Sequence, residues 1–141
     1  MQNPLQGWKV AVIDDEHDSL EVVGTILEMH GAAVETADNG RDGLDLISRI
    51  RPDLIISDLS MPGLSGWELV DALKQGERSL ANIPVIALTA HAMEHDRRRA
   101  IASGFHNFIS KPLQPETFVQ QVISLLAVDH PELQGFLNGD Q

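Results

Sequence analysis

Four short runs of consecutive apolar residues, each followed by a polar side chain, constrain this chain more than any other feature. They are Val10-Ala11-Val12-Ile13, Leu54-Ile55-Ile56, Pro84-Val85-Ile86-Ala87-Leu88, and Phe105 to Ile109 with His106 and Asn107 inside it. A strand with one wet face alternates apolar and polar residues. A strand that is apolar throughout must be covered on both faces, as in a parallel sheet. A fifth, weaker candidate is Ala32-Ala33-Val34-Glu35-Thr36-Ala37. Between the runs the period changes to that of helices: Leu20, Val23 and Leu27 share a stripe, as do Leu44 with Ile47, and Leu69 and Val70 with Leu73. Gly31 and Gly104 are placed as helix stops, and Pro115 as the opening of a last helix that carries Phe118, Val122, Leu125 and Leu126 inward.

Regular alternation of strands and helices with right-handed crossovers gives an open, doubly wound α/β fold: five parallel strands with helices on both faces. The chain has 141 residues, room for one domain, which the pattern places over residues 7–128. After Val128 breakers dominate, so residues 129–141 are expected to be a flexible C-terminal tail with no output module behind it.

In such folds ligands bind beyond the carboxyl ends of the strands. Past the first run stand Asp14 and Asp15, past the third strand Asp58, past the fourth Thr89, and past the fifth Lys111. Three carboxylates, a hydroxyl and an ammonium would therefore meet on one edge of the sheet. Clustered carboxylates repel unless protons or a cation intervene. A hard divalent ion such as Mg²⁺ fits, with Asp15 and Asp58 as direct ligands and Asp14 acting through water. Phosphoryl transfer depends on positioning and on neutralising the equatorial oxygens, roles open to Mg²⁺, Lys111 and Thr89. Asp58 then serves as nucleophile, forming an acyl phosphate.

Val12-Ile13-Asp14-Asp15-Glu16, Asp58-Leu59-Ser60-Met61-Pro62-Gly63-Leu64-Ser65-Gly66, Leu88-Thr89-Ala90 and Ser110-Lys111-Pro112 resemble, in order, the signature of response-regulator receiver domains. The resemblance covers roughly Gly7 to Val128. It implies the flavodoxin-like strand order 2-1-3-4-5, a phosphoryl group received on Asp58 from a histidine kinase or phosphotransfer protein, a metal shell completed by the Ser60 carbonyl, and a cis Lys111-Pro112 peptide. Many receivers carry Tyr or Phe in the fifth strand as a switch partner to the conserved Thr or Ser. Here that residue is Phe108, which must work by ring packing alone. Ser60 and His91 stand where receivers tune the lifetime of the phosphoryl group.

Composition removes other classes. Lys and Arg number 10 against 21 Asp and Glu, and the net charge of −11 disfavours nucleic acid and anionic membranes, leaving protein partners. A monomer or weak dimer is expected. Without cysteine there is no thiolate chemistry, and neither a signal peptide nor a membrane-spanning run is recognisable, so a cytoplasmic protein is expected. Two rivals remain. A small aspartyl-phosphate phosphatase or phosphotransferase would carry a second acid two residues after its nucleophile, where this chain has Ser60. A pseudo-receiver scaffold would not need the full set of polar residues. His91-Ala92-Met93-Glu94-His95 matches an H-x-x-E-H peptidase pattern, but no second domain exists to supply a third ligand and a cleft. Arg97-Arg98-Arg99 is read as a solvated face, and Trp8 and Trp67 as packing residues.

Overall fold

The computed structural model describes residues 3–90 and 94–137. Five strands, β1 (Lys9–Ile13), β2 (Ala33–Ala37), β3 (Leu54–Ser57), β4 (Val85–Thr89) and β5 (Asn107–Ser110), form one parallel sheet in the order β2-β1-β3-β4-β5. The helices are α1 (His17–Met29), α2 (Gly40–Ile50), α3 (Gly66–Gln75), a single turn α4 (Arg78–Ala81), α5 (Glu94–Ser103) and α6 (Pro115–Leu126). The fold class and strand order are those expected; α4 is an addition inside the loop before β4.

The unbroken hydrophobicity of the inner strands has the cause inferred for it. Val10, Val12, Leu54, Ile56, Ile86 and Leu88 face a core completed by α1 and α6. Ala11, Ile13, Ile55, Val85 and Ala87 face a second core under α2, α3 and α5. Adjacent residues thus feed opposite cores, and no polar face is left. The edge strand β2 is largely exposed, which explains its weak signal.

Local signals set the helix ends. Asn39 accepts the Asp42 N–H through its side chain and opens α2. Ser65 and Glu68 close a reciprocal capping box at the start of α3, with Glu68 N–H donating to Ser65 Oγ at 3.2 Å and Ser65 N–H to Glu68 Oε1 at 2.9 Å. Gly104, at φ 113°, ends α5 in the left-handed region, and the next amide, Phe105 N–H, returns to the Ala100 carbonyl. That turn places Phe105 in the second core ahead of β5, so the strand starts at Asn107 rather than at the first apolar residue.

The folded unit is wider than residues 7–128. Leu5 is fully buried in the first core, and its N–H donates to the His30 carbonyl. The segment expected as a flexible tail instead folds back: Pro131–Phe136 form a 3₁₀ helix, Leu133 is 2% exposed, and Phe136 and Leu137 pack on the first core. Gln120 on α6 donates its side-chain amide to the Phe136 carbonyl, and His130 meets Trp8 edge-on at 5.0 Å. Leu133 and Phe136 are three residues apart, one 3₁₀ turn, so they share a face that a search for the 3.6-residue period passes over. Among the described residues no helix is long and apolar enough to cross a membrane.

Removing the Leu133 side chain should therefore cost stability. Leu133→Ala is expected to lose about 3 kcal/mol, or on the order of 10 °C in Tm for a domain of this size. Thermal unfolding measures it, and an unchanged Tm would show that the segment contributes nothing to the fold.

Candidate functional site

The site lies where strands end. β1 and β3 are neighbours with Ile13 opposite Ser57, so the residues that follow, Asp14 and Asp58, emerge side by side. Backbone bonds hold both: Asp58 N–H donates to the Ile13 carbonyl at 3.0 Å, and Asp14 N–H to the Ala37 carbonyl at 3.1 Å. β4 ends at the buried Thr89, opposite Ser110 in β5, and Lys111 N–H donates to the Thr89 carbonyl at 2.8 Å. The Lys111-Pro112 peptide is cis, as the resemblance implied.

Lys111 joins the parts. Its Nζ donates to Asp14 Oδ2 at 2.8 Å, to Glu16 Oε1 at 2.6 Å and to Asp58 Oδ2 at 3.3 Å. The Lys111 and Asp58 side chains are 11% and 10% exposed and that of Asp14 is 3% exposed, so these charges lie at the margin of the core. Burial pushes the Asp14 carboxyl above its ordinary value, against the lowering effect of hydrogen bonds from Lys111 and the Glu16 N–H. Burial also works against the Lys111 charge, but hydrogen bonds to Asp14 and Glu16 and the charges of Asp58 and Asp14 outweigh it, holding the ammonium well above its usual range. The hydrogen bond from Lys111 lowers the exposed Glu16 carboxyl.

The loop after Asp58 is shaped by close approach. Ser57 Oγ donates to the Asp58 carbonyl at 2.9 Å, and Ser60 N–H to Asp58 Oδ1 at 3.3 Å. A Cβ at Gly66 would collide with the Asp58 carbonyl, and Gly66 N–H donates to the Leu59 carbonyl. Any larger residue at Gly66 would push the start of α3 off the loop that follows Asp58.

Oxygen ligands for a cation are present. Carboxylate oxygens of Asp14, Glu16 and Asp58 lie within 4.8 Å of one another, and an all-oxygen set suits a hard divalent ion. Glu16 is a residue the sequence reading passed over, while Asp15, assigned there as a direct ligand, is exposed and stands outside this group. Glu16 immediately precedes α1 and is drawn inward by Lys111, a placement that depends on the charge beside it rather than on any motif. Ser60 is exposed beside Asp58. Phe108 is half-buried in the second core, opposite Ala87 in the strand register.

Of the other singled-out residues, His91 lies outside the described residues. His95 is an exposed side chain beside Asp96. Arg98 pairs with Glu94 at 3.6 Å, whereas Arg99 is not merely solvated: its guanidinium lies 4.1 Å above the Trp67 ring, which meets Phe105 edge-on.

The family model of the response regulator receiver domain matches residues 10–123. The polar-differentiation response regulator DivK of Brucella anthropi is 35% identical over 117 residues, covering 83% of this chain and 94% of DivK. The sensor histidine kinase GacS of Pseudomonas protegens is also 35% identical over 82% of this chain, but the chain spans only 13% of GacS. The solved structure of chemotaxis response regulator CheY4 of Vibrio cholerae is similar with a TM-score of 0.79 at 31% identity, covering 84% of this chain and 98% of that one.

The charge balance can be tested without a ligand. In metal-free buffer Lys111→Met should destabilise the fold by about 3 kcal/mol, because it leaves two buried carboxylates facing each other with no cation. Adding Asp58→Asn should recover the larger part. Urea unfolding of single and double variants measures both, and strictly additive losses would mean that the groups are not coupled.

Proposed function

The chain belongs to the response regulator receiver domain family, and from that membership we propose that it is a phosphorylation switch whose acceptor is Asp58. The observation that carries this reading is the Lys111 ammonium held between Asp58 and Asp14 at the carboxyl edge of the sheet. The phosphodonor is a histidine kinase or phosphotransfer protein. A carboxylate oxygen of Asp58 attacks the phosphorus of the donor's phosphohistidine, the P–N bond breaks, and the imidazole nitrogen keeps the electron pair and takes up a proton. The protein does no other chemistry than its own phosphorylation and the hydrolysis that reverses it.

Asp14, Asp15 and Asp58, with the Ser60 carbonyl, would hold the divalent cation, and Glu16 is a fourth carboxylate within reach of it. When bound, Mg²⁺ supplies positive charge to the phosphoryl oxygens. Lys111 serves the same end: its ammonium exchanges its hydrogen bond to Asp58 for one to a phosphoryl oxygen. Thr89, buried at the end of β4, donates its hydroxyl to another phosphoryl oxygen, and the space it leaves admits the ring of Phe108.

Output follows by contact with a protein. The surface that changes is that of α5, β5 and α6, because Thr89 leads into α5 and Phe108 lies in β5. Among the described residues α5 buries only Ala100, so it is the long helix that moves at least cost. The net charge of −11 argues for a protein target rather than nucleic acid, and the cytoplasm is the compartment of such a switch.

A small phosphodonor with Mg²⁺ should add one phosphoryl group to wild type, and none to Asp58→Asn, by intact-mass analysis. Equal incorporation in both would remove Asp58 as acceptor. Phe108→Ala should keep that incorporation while losing the beryllofluoride-induced amide NMR shifts in α5 and β5. Shifts that persist in Phe108→Ala would take the ring out of the switch.

A further inference from the structure

The opposite edge of the sheet carries a feature that phosphorylation does not use. β2 pairs with β1 alone. Ala33 N–H donates to the Trp8 carbonyl and the Ala37 carbonyl accepts from Asp14, so these residues spend their backbone groups on β1. In a parallel ladder successive residues point their N–H and C=O to alternate sides, which leaves those of Val34 and Thr36 facing outward. Among the described residues no strand caps this edge. α1 and α2 lie on opposite faces of the sheet, and between them an open groove of about 890 Å³ runs along β2, with Val34 and Thr36 as its floor and Leu20 and Leu46 in its walls.

Both walls are acidic. α1 contributes Glu21 and Glu28, and α2 contributes Asp42 and Asp45. The basic residues that line the groove are already engaged, Arg49 with Glu35 at 3.8 Å and His17 with Asp38 at 3.2 Å. The carboxylates of Glu21, Glu28 and Asp45 form no ion pair or hydrogen bond among the described residues. We propose that this groove binds an extended, basic segment of a partner protein, which adds to β2 as a sixth strand. The outward N–H and C=O of Val34 and Thr36 would pair with its backbone, and its Lys or Arg side chains would meet acids on both sides. Unpaired edge groups select an extended occupant, and the charge on both walls selects a basic one. A second copy is disfavoured, since pairing two β2 edges brings Glu35 and the same acidic walls together.

The probe is a capped peptide of about seven residues, the length of β2 with one residue at each end, alternating Lys or Arg with Thr. Titrated into the full chain, it should shift the amide NMR signals of Val34 and Thr36 most strongly. Methylating its backbone nitrogens at alternate residues leaves its charge but removes its donors, and should weaken binding about tenfold. Glu21→Gln with Asp45→Asn should weaken it about as much, while Asp71→Asn with Glu116→Gln, an equal charge change elsewhere, should have less than about a twofold effect. No binding, equal weakening by both pairs, or undiminished binding of the methylated peptide overturns the proposal, the last two reducing it to general attraction by an acidic protein. Concentration-dependent shifts at Val34 and Thr36 without peptide would name a second copy as the occupant and overturn it too.

Discussion

The contact of Lys111 with Asp14 and Asp58 is the constraint on which the rest of this structure depends. Two carboxylates at the ends of neighbouring strands, both largely withdrawn from water, cannot stay ionised together without a cation. The cation comes from β5, which lies two strand spacings, about 10 Å, from β3. Only a long side chain leaning over the end of β4 can close that distance. The strand order, the termination of each strand at the same level, and the path past Lys111 are therefore conditions for the acidic pair to exist at all. Lys111 does not neutralise the cluster fully. With Glu16 also bound to it, three carboxylates share one ammonium, which leaves the site attractive to a divalent cation.

The scaffold around this edge is held unequally. The inner strands are sealed between two cores, and α1, α2, α3 and α6 each bury several side chains. The described part of α5 is different: beyond Ala100, its hold on the molecule includes Arg99 stacked on Trp67. A stacking contact of that kind is worth on the order of 1 kcal/mol. A helix so lightly attached, and close in sequence to Thr89, can answer a small change at Asp58 without unfolding anything else.

What the sequence revealed and what it hid divide along physical lines. Strands buried on both faces announce themselves as unbroken apolar runs, so β1, β3 and β4 were legible, and with them the positions of Asp14, Asp58 and Thr89; Lys111 follows the interrupted run that contains β5. The edge strand β2 was faint because exposure removes the hydrophobic signal. Phe105 was absorbed into a strand because it is apolar, although a left-handed turn at Gly104 directs it into the core first. The C-terminal 3₁₀ helix was missed because its apolar residues recur every third position among Pro, Gly and charged residues. Glu16 could not be foreseen, since its place is fixed by a lysine 95 residues away in sequence. Asp15, which the sequence marks as a ligand, is exposed in the folded chain and stands outside the group formed by Asp14, Glu16 and Asp58.

If Lys111 is the hinge between the resting and phosphorylated states, its ammonium must change partners when Asp58 is modified. The most direct observation is the side-chain ¹H–¹⁵N signal of Lys111, recorded with Mg²⁺ before and after beryllofluoride, in wild type and in Asp58→Asn. The account predicts a distinct shift of that signal in wild type, as the bond to Asp58 is replaced by one to the phosphoryl mimic, and none in Asp58→Asn. A Lys111 signal that stays in place while beryllofluoride demonstrably occupies Asp58 would contradict it.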